Sequence, residues 1–279
     1  MAGILPSLAF LGAGSMARAI IEGVRNAPVQ LEGPIRVTNR SAAAAAMFDG
    51  VVGIIADSVD ITPDANRIAA AASQLVVVAV KPAMVVPLLD EIADALQPGS
   101  TVVSVAAGVT TATMESRLPE HVSVVRTMPN TPAQVGRAVT GIAGGARADR
   151  EALDAVVTLF ETVGSVIVTE EARIDALSTV SGSGPAYVFY LIEQLEAAAR
   201  ALGFSADEST LMVRETFAGS LDLLDRAGIE PAELRRRVTS PNGTTERAIA
   251  TFDAADIAGT FRAATEAALA RAREMAASA

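Results

Sequence analysis

Through residues 1–169, short runs of Val, Ile and Leu alternate with Ala-rich stretches whose apolar positions recur at helical spacing. A β-branched run bounded by turn residues fits a buried strand, and an apolar stripe every three to four residues fits a helix packed on one face. Leu8 to Leu11, Ile35 to Thr38, Leu75 to Val80, Thr101 to Val105 and Val122 to Thr127 read as strands, with Ser165 to Thr169 as one more after Gly164. Met16 to Val24, Ser41 to Phe48, Thr62 to Ala72 and Met84 to Leu96 read as helices between them. This alternation predicts an α/β fold of βαβ units around a parallel sheet.

From Glu170 onward the β-branched runs stop while the helical period continues. Pro185 suits the first turn of a helix that carries Tyr187, Tyr190, Leu191, Gln194, Leu195 and Ala198 and closes at Gly203. A second long helix is predicted from Asp207 to Ala227, ending at Gly228, then Pro231 to Val238, Thr244 to Phe252, and a last helix from Ala258. The domain boundary is therefore placed at residue 170, with an α/β domain over 1–169 and an all-helical domain over 170–279.

Composition narrows the chemistry. Lys and Arg total 22 against 32 Asp and Glu, a net charge of −10 that argues against a nucleic-acid partner. The triplet Arg235, Arg236 and Arg237 is a local exception, read as a solvated or interface face. There is no Cys, so no thiolate chemistry and no Cys-ligated metal, and His121 alone excludes a multi-histidine site, so no metal is expected. His121 precedes a strand and is read as an edge residue. No apolar run reaches the roughly 18 residues of a membrane span. The apolar start lacks a basic region before Arg18, so a soluble, cytoplasmic protein is expected.

The sharpest motif is Gly12-Ala13-Gly14-Ser15-Met16-Ala17, a G-x-G-x-x-A turn between the first strand and first helix. The first glycine permits the turn, the second admits a pyrophosphate, and the small third residue lets helix and strand approach. Where an NAD site places a carboxylate for the ribose, this chain has Thr38-Asn39-Arg40-Ser41. Arg40 suits a 2′-phosphate and the neighbours offer hydrogen bonds, which favours NADPH over NADH. Lys81 and Pro82 follow one strand, and Ala106, Ala107 and Gly108 follow the next, small enough for a flat ring to lie against them. Met128-Pro129-Asn130-Thr131-Pro132 reads by itself as a loop. Ser181 to Tyr187 and Ser240 to Thr245 are glycine-rich runs ahead of helices, which suit either a small anion or simple capping.

Taken in order, these segments resemble the pyrroline-5-carboxylate reductase family over nearly the whole chain. Arg126 to Pro132, Ser181 to Tyr187 and Val238 to Thr245 carry the resemblance most specifically. It implies a Rossmann-like domain and a helical domain that intertwines with a second copy, in many members within a ring of five dimers, a decamer. It implies reduction of the C=N bond of 1-pyrroline-5-carboxylate to L-proline with NADPH or NADH. Carried onto this chain, the cofactor contacts are Gly12, Ala13, Gly14, Ser15, Met16, Asn39, Arg40, Asn66, Ala79, Val80, Lys81, Pro82, Ala106, Ala107 and Gly108, with Met128, Pro129 and Asn130 near the nicotinamide. Gly243 and Thr244 are implied to hold the substrate carboxylate, Thr245 the ring nitrogen as the catalytic hydroxyl, and Glu170 a place near the substrate pocket. Asn242 stands where the family usually has glycine, Ser15 where asparagine is frequent, and Ser178 where threonine is frequent. Asparagine tolerates positive φ better than other non-glycine residues, so the loop can keep its shape.

A different imine or hydroxy-acid reductase on the same plan would not need the Ser240 to Thr245 loop, and hydroxy-acid enzymes of this plan usually carry a lysine on the long helix. Tyr187 to Leu202 has none. A non-catalytic NADP-binding sensor is the remaining alternative.

Overall fold

The computed structural model describes residues 3–277. It divides into two compact units, Met1–Ser183 with Ala268–Ala279, and Gly184–Ala267.

In the first unit, β1 (Ile4–Leu5) and β3 (Gln30–Leu31) form a small parallel pair. The main sheet contains β2 (Leu8–Leu11), β4 (Ile35–Asn39), β5 (Ile54–Ser58), β6 (Leu75–Val78), β7 (Thr101–Ser104), β8 (Ser123–Met128), β9 (Ala138–Gly144) and β10 (Gly164–Val168). Their order is β10-β9-β8-β7-β6-β2-β4-β5, with β8 and β9 antiparallel and every other neighbouring pair parallel. From β2 the chain runs outward through β4 and β5, then returns to β6 and runs the other way. The gap between the carboxyl ends of β2 and β6 is therefore the switch point where open α/β sheets take ligands.

Helices α1 (Ser15–Asn26), α2 (Ala42–Ala45), α3 (Ala65–Ala71), α4 (Val85–Ile92), α5 (Thr111–Glu115), α6 (Arg150–Glu161) and α7 (Glu171–Leu177) complete this unit. Successive strand residues face opposite ways, so both faces of the sheet carry core. Phe10, Val77, Val103 and Val125 pack with Ile20 and Val24 of α1 and Phe160 of α6. Leu11, Val76, Val78 and Val102 pack with Leu89 and Ile92 of α4 and Met114 of α5. Burial on two sides explains why the central strands are continuously apolar.

The structure adds elements to those expected. Edge strand β5 reads Ile-Ile-Ala-Asp-Ser and is only partly buried, and β9 holds Gly141 and small residues, so neither presents a β-branched run. Strands β6 and β7 end at Val78 and Ser104, short of the expected Val80 and Val105, with the Ala79 N–H still donating to the Leu11 carbonyl and the Val105 N–H to the Val78 carbonyl. Helix α7 packs on β8 and β9, and Ser178–Gly182 continues it as a π-helical turn. The sheet unit therefore runs to Ser183, past the boundary expected at residue 170.

The second unit contains α8 (Gly184–Ala201), α9 (Ala206–Ala227), α10 (Pro231–Arg237), α11 (Thr244–Ala254) and the beginning of α12 (Ile257–Ala277). Helices α8 and α9 pack together. Ser205 and Glu208 form a capping box at the start of α9, and Gly228 ends it in the left-handed conformation. Among the described residues, no helix is long and apolar enough to cross a membrane.

Candidate active site

The β2–α1 turn is shaped by backbone contact. Gly12 has φ +91°, its N–H donates to the Thr38 carbonyl at 3.0 Å, and a Cβ there would stand 2.8 Å from Val80 and 3.1 Å from the Ala79 carbonyl oxygen. No other residue fits. Gly14 precedes α1 without any side-chain cap, and the space where its Cβ would lie is open for 4 Å. The first amides of a twelve-residue helix thus face an open cradle, with the positive end of the helix dipole behind them. Ser15 is exposed at this end, and Met16 is half-buried against the core.

Asn39 ends β4 and is buried, its Oδ1 accepting from the Ala13 N–H at 3.2 Å. Its Nδ2 has no partner in the structure. A buried amide donor without an acceptor is unfavourable until something supplies one. Arg40 beside it is exposed, its Nη2 3.3 Å from Met84 Sδ. The other two polar residues of this turn are engaged: the Thr38 hydroxyl donates to Asn66 Oδ1 at 2.6 Å, and Ser41 caps α2. Asn66 in turn donates to Glu91 at 3.0 Å, making a strut beneath the turn. The orphaned donor, the exposed guanidinium and the open helix end suit the phosphates of a nicotinamide dinucleotide.

Across the switch point, Ala79 donates to the Leu11 carbonyl at 2.9 Å, Val80 presses on Gly12, and exposed Lys81 and Pro82 lead into a helical turn. Ala106 is buried and Ala107 half-buried. Gly108 adopts φ +79° and is buried, and a Cβ on it would stand 3.6 Å from the Ala276 amide of the same compact unit.

Beyond β8, Met128 reaches Gly182 in the π-turn, and Pro129 is buried. Asn130 has its amide engaged at both ends. Its Nδ2 donates to the Ser181 carbonyl at 2.9 Å and its Oδ1 accepts from the Val139 N–H at 2.9 Å. The segment that reads as a loop is therefore a clamp on the π-turn, a helical irregularity frequent at functional sites. Glu170 is exposed ahead of α7, whereas its neighbour Glu171 is drawn inward to Thr111 and Arg126. Sequence reading passed over Glu171 and Asp175. Their signal is Arg126, a charged residue in the middle of a buried strand, which demands carboxylate partners.

In the helical unit, Asn242 adopts φ 60°, the left-handed conformation expected of it, and its N–H donates to Glu246 at 2.8 Å. Gly243 begins α11, again with no side-chain cap. Thr244 is exposed and Thr245 half-buried in the first turn. Arg236 and Arg237 pair with Glu233, which lowers the carboxyl pKa of Glu233, chiefly through the Arg237 hydrogen bond. His121 is exposed at the opposite, amino ends of the strands, where it lines a cleft of about 1020 Å³. Among the described residues, no cluster of three or more His, Asp or Glu is placed to hold a metal ion.

A glycine turn at the switch point of a parallel sheet, followed by a helical unit, defines a dinucleotide-dependent oxidoreductase. Residues 7–108 match the family model described as NADP oxidoreductase, coenzyme F420-dependent, and residues 171–275 match that described as pyrroline-5-carboxylate reductase dimerisation. The chain is 37% identical to the pyrroline-5-carboxylate reductase of Pseudomonas aeruginosa, covering 97% of each, and 35% identical to that of Corynebacterium melassecola, covering 97% of this chain and 99% of the relative. The structure of a pyrroline-5-carboxylate reductase from Coxiella burnetii matches with a TM-score of 0.88 at 33% identity, over 97% of this chain and 98% of that one. The chain belongs to the pyrroline-5-carboxylate reductase family.

Proposed function

We propose that the protein reduces the C=N bond of 1-pyrroline-5-carboxylate to give L-proline, the last step of proline biosynthesis, with NADPH preferred over NADH. The observation that carries this reading is the near full-length likeness to enzymes of that name. The two uncapped helix starts, at Gly14 and Gly243, support it at residue level.

Hydride for the imine carbon is what NADPH supplies when bound. With the Gly12 and Ala13 N–H groups donated to the Thr38 carbonyl and Asn39 Oδ1, the Gly14, Ser15 and Met16 amides hold the pyrophosphate, and Asn39 Nδ2 with the Arg40 guanidinium holds the 2′-phosphate. Ala106 to Gly108 forms the wall for the nicotinamide end. The Thr244 amide takes the substrate carboxylate beside the turn that the Gly243 N–H closes by donating to the Ser240 carbonyl at 3.0 Å, and this fixes the face that the ring presents. The Thr245 hydroxyl hydrogen-bonds the ring nitrogen, orients it, and relays a proton to it as the amine forms. No Cys, His or metal ligand has a part in these roles.

A second copy of the chain covers the apolar helices of the second unit, and the intertwined dimers assemble further, as a decamer in the cytoplasm. NADPH oxidation with 1-pyrroline-5-carboxylate, followed at the nicotinamide absorbance with NADH in parallel, tests the assignment. Turnover with NADPH ahead of NADH is expected. Turnover favouring NADH would remove the role given to Arg40, and cofactor binding without turnover would turn the reading to a sensor.

A further inference from the structure

A charge cluster with a buried arginine and two half-buried carboxylates lies where the turn after β7, the end of β8 and the start of α7 meet, and the proposed chemistry does not use it. Arg126 is 3% exposed, its Nη2 donating to Asp175 Oδ1 at 2.6 Å and its Nη1 facing Glu171 Oε1 at 3.5 Å. Glu171 accepts twice from Thr111: Oε1 takes the backbone N–H at 2.7 Å and Oε2 the hydroxyl. Thr111 is itself buried and is the first residue of α5. Glu171 and Asp175 stand one turn apart on α7, where two carboxylates repel unless a cation lies between them.

Such a cluster gains little net stability over an apolar filling of the same volume. What it provides is geometry, because a carboxylate gripping both donors of Thr111 fixes that residue in position and direction. Thr111 closes the turn that opens at Ala106. The opening end is held by Ser104, whose hydroxyl accepts from the Ala106 N–H at 3.2 Å and whose carbonyl accepts from the Thr127 hydroxyl at 2.9 Å. Gly108 lies between these two anchors. Both anchors lead back to β8, at Arg126 and Thr127.

We propose that Glu171 is a positioning residue for the nicotinamide end of the site, holding the Ala106 to Gly108 turn through Thr111 while Arg126 and Asp175 hold Glu171. This rests on the reading that the turn meets the nicotinamide ring. With the clamp loosened the reacting groups remain but their alignment is lost, so hydride transfer slows.

The test uses the full-length enzyme, Glu171→Gln and Thr111→Val, with NADPH or its C4-deuterated form. Glu171→Gln is expected to lower kcat about tenfold per folded molecule and to raise the deuterium isotope effect, with the KM for 1-pyrroline-5-carboxylate little changed. Thr111→Val removes only the hydroxyl and is expected to lower kcat about threefold, with the double variant no slower than Glu171→Gln alone. If Glu171→Gln does not fold, Thr111→Val decides. Wild-type kcat and isotope effect in the folded variants, with only the melting temperature reduced, overturn the proposal. If the wild type itself does not turn over this substrate, the functional reading fails separately. NADPH fluorescence titration then decides the clamp: binding about threefold weaker in Glu171→Gln supports it, and equal binding overturns it.

Discussion

In the sheet unit, Phe10, Leu75, Ile92, Met114 and Phe160 are fully buried between the sheet and helices on its two faces. In the helical unit, Ala199, Ser209 and Val213 alone among the described residues are buried, while Phe189, Tyr190 and Leu202 are 65%, 60% and 81% exposed. Both units obey their local rules equally well, with Ser205 capping α9 as correctly as Asp149 caps α6. The difference is in closure. Helices covering both faces of a sheet complete a core within one chain, whereas α8 and α9 have apolar residues beyond the surface they share. Exposed apolar patches of this extent mark an interaction surface, and the dimerisation family model covers this region. The stability of the helical unit is thus expected to depend on association, and that of the sheet unit is not.

The most severe break of this asymmetry is Phe189→Glu on α8. A charge in place of a large ring on the associating face is expected to weaken the dimer by at least about 100-fold, since burying such a ring contributes roughly 3 kcal/mol. Sedimentation reads the loss of the dimer, and turnover is expected to fall with it. NADPH binding, assigned to the sheet unit, is expected to survive. A variant that stays dimeric and active would overturn the association argument.

The chemical roles divide along the same line and sharpen it. Thr245→Ala, in the helical unit, is expected to lower kcat roughly ten- to a hundredfold if it removes one oriented hydrogen bond worth about 1.5–3 kcal/mol. Unchanged kinetics would refute its role. Arg40→Ala, in the sheet unit, is expected to raise the KM for NADPH about tenfold and leave that for NADH unchanged, as loss of one charge-assisted hydrogen bond predicts. Equal effects on both cofactors would show that Arg40 does not read the 2′-phosphate.

How much was legible in the sequence follows from which interactions are local. The Gly12 turn, the central strands and the helices from Gly184 onward rest on period, capping and backbone conformation, all readable from neighbours in the chain. Strands β5 and β9 were missed because one is an exposed edge and the other is built of small residues whose partners lie elsewhere in the fold. Asn130 and Arg126 sit within a recognisable motif, yet their partners Ser181, Glu171 and Asp175 are some 50 residues away, at separations of 51, 45 and 49. The engagement of Thr38 with Asn66 likewise could not be read from spacing, and it leaves Asn39 and Arg40 as the available donors of their turn.

The smallest expected effect probes the local rule that the helical unit does satisfy. Hydrogen bonds from the backbone N–H and the hydroxyl of Ser205 hold the Glu208 carboxyl below its ordinary pKa. A group whose pKa is depressed on folding stabilises the folded state fully above its unfolded value, about 4.3 for glutamate, and loses that contribution as pH falls through the folded value. Glu208→Gln is therefore expected to melt about 1–2 °C below the wild type at pH 7, with the gap closing as the pH drops below 4. Circular-dichroism melts across that range measure it. Because Glu208 lies on the surface, added salt is expected to change the gap little if directed hydrogen bonds produce it, and to shrink it if a diffuse charge effect does. A gap that persists unchanged to low pH would mean that the capping box contributes through shape alone, and that the carboxylate charge is irrelevant to how α9 begins.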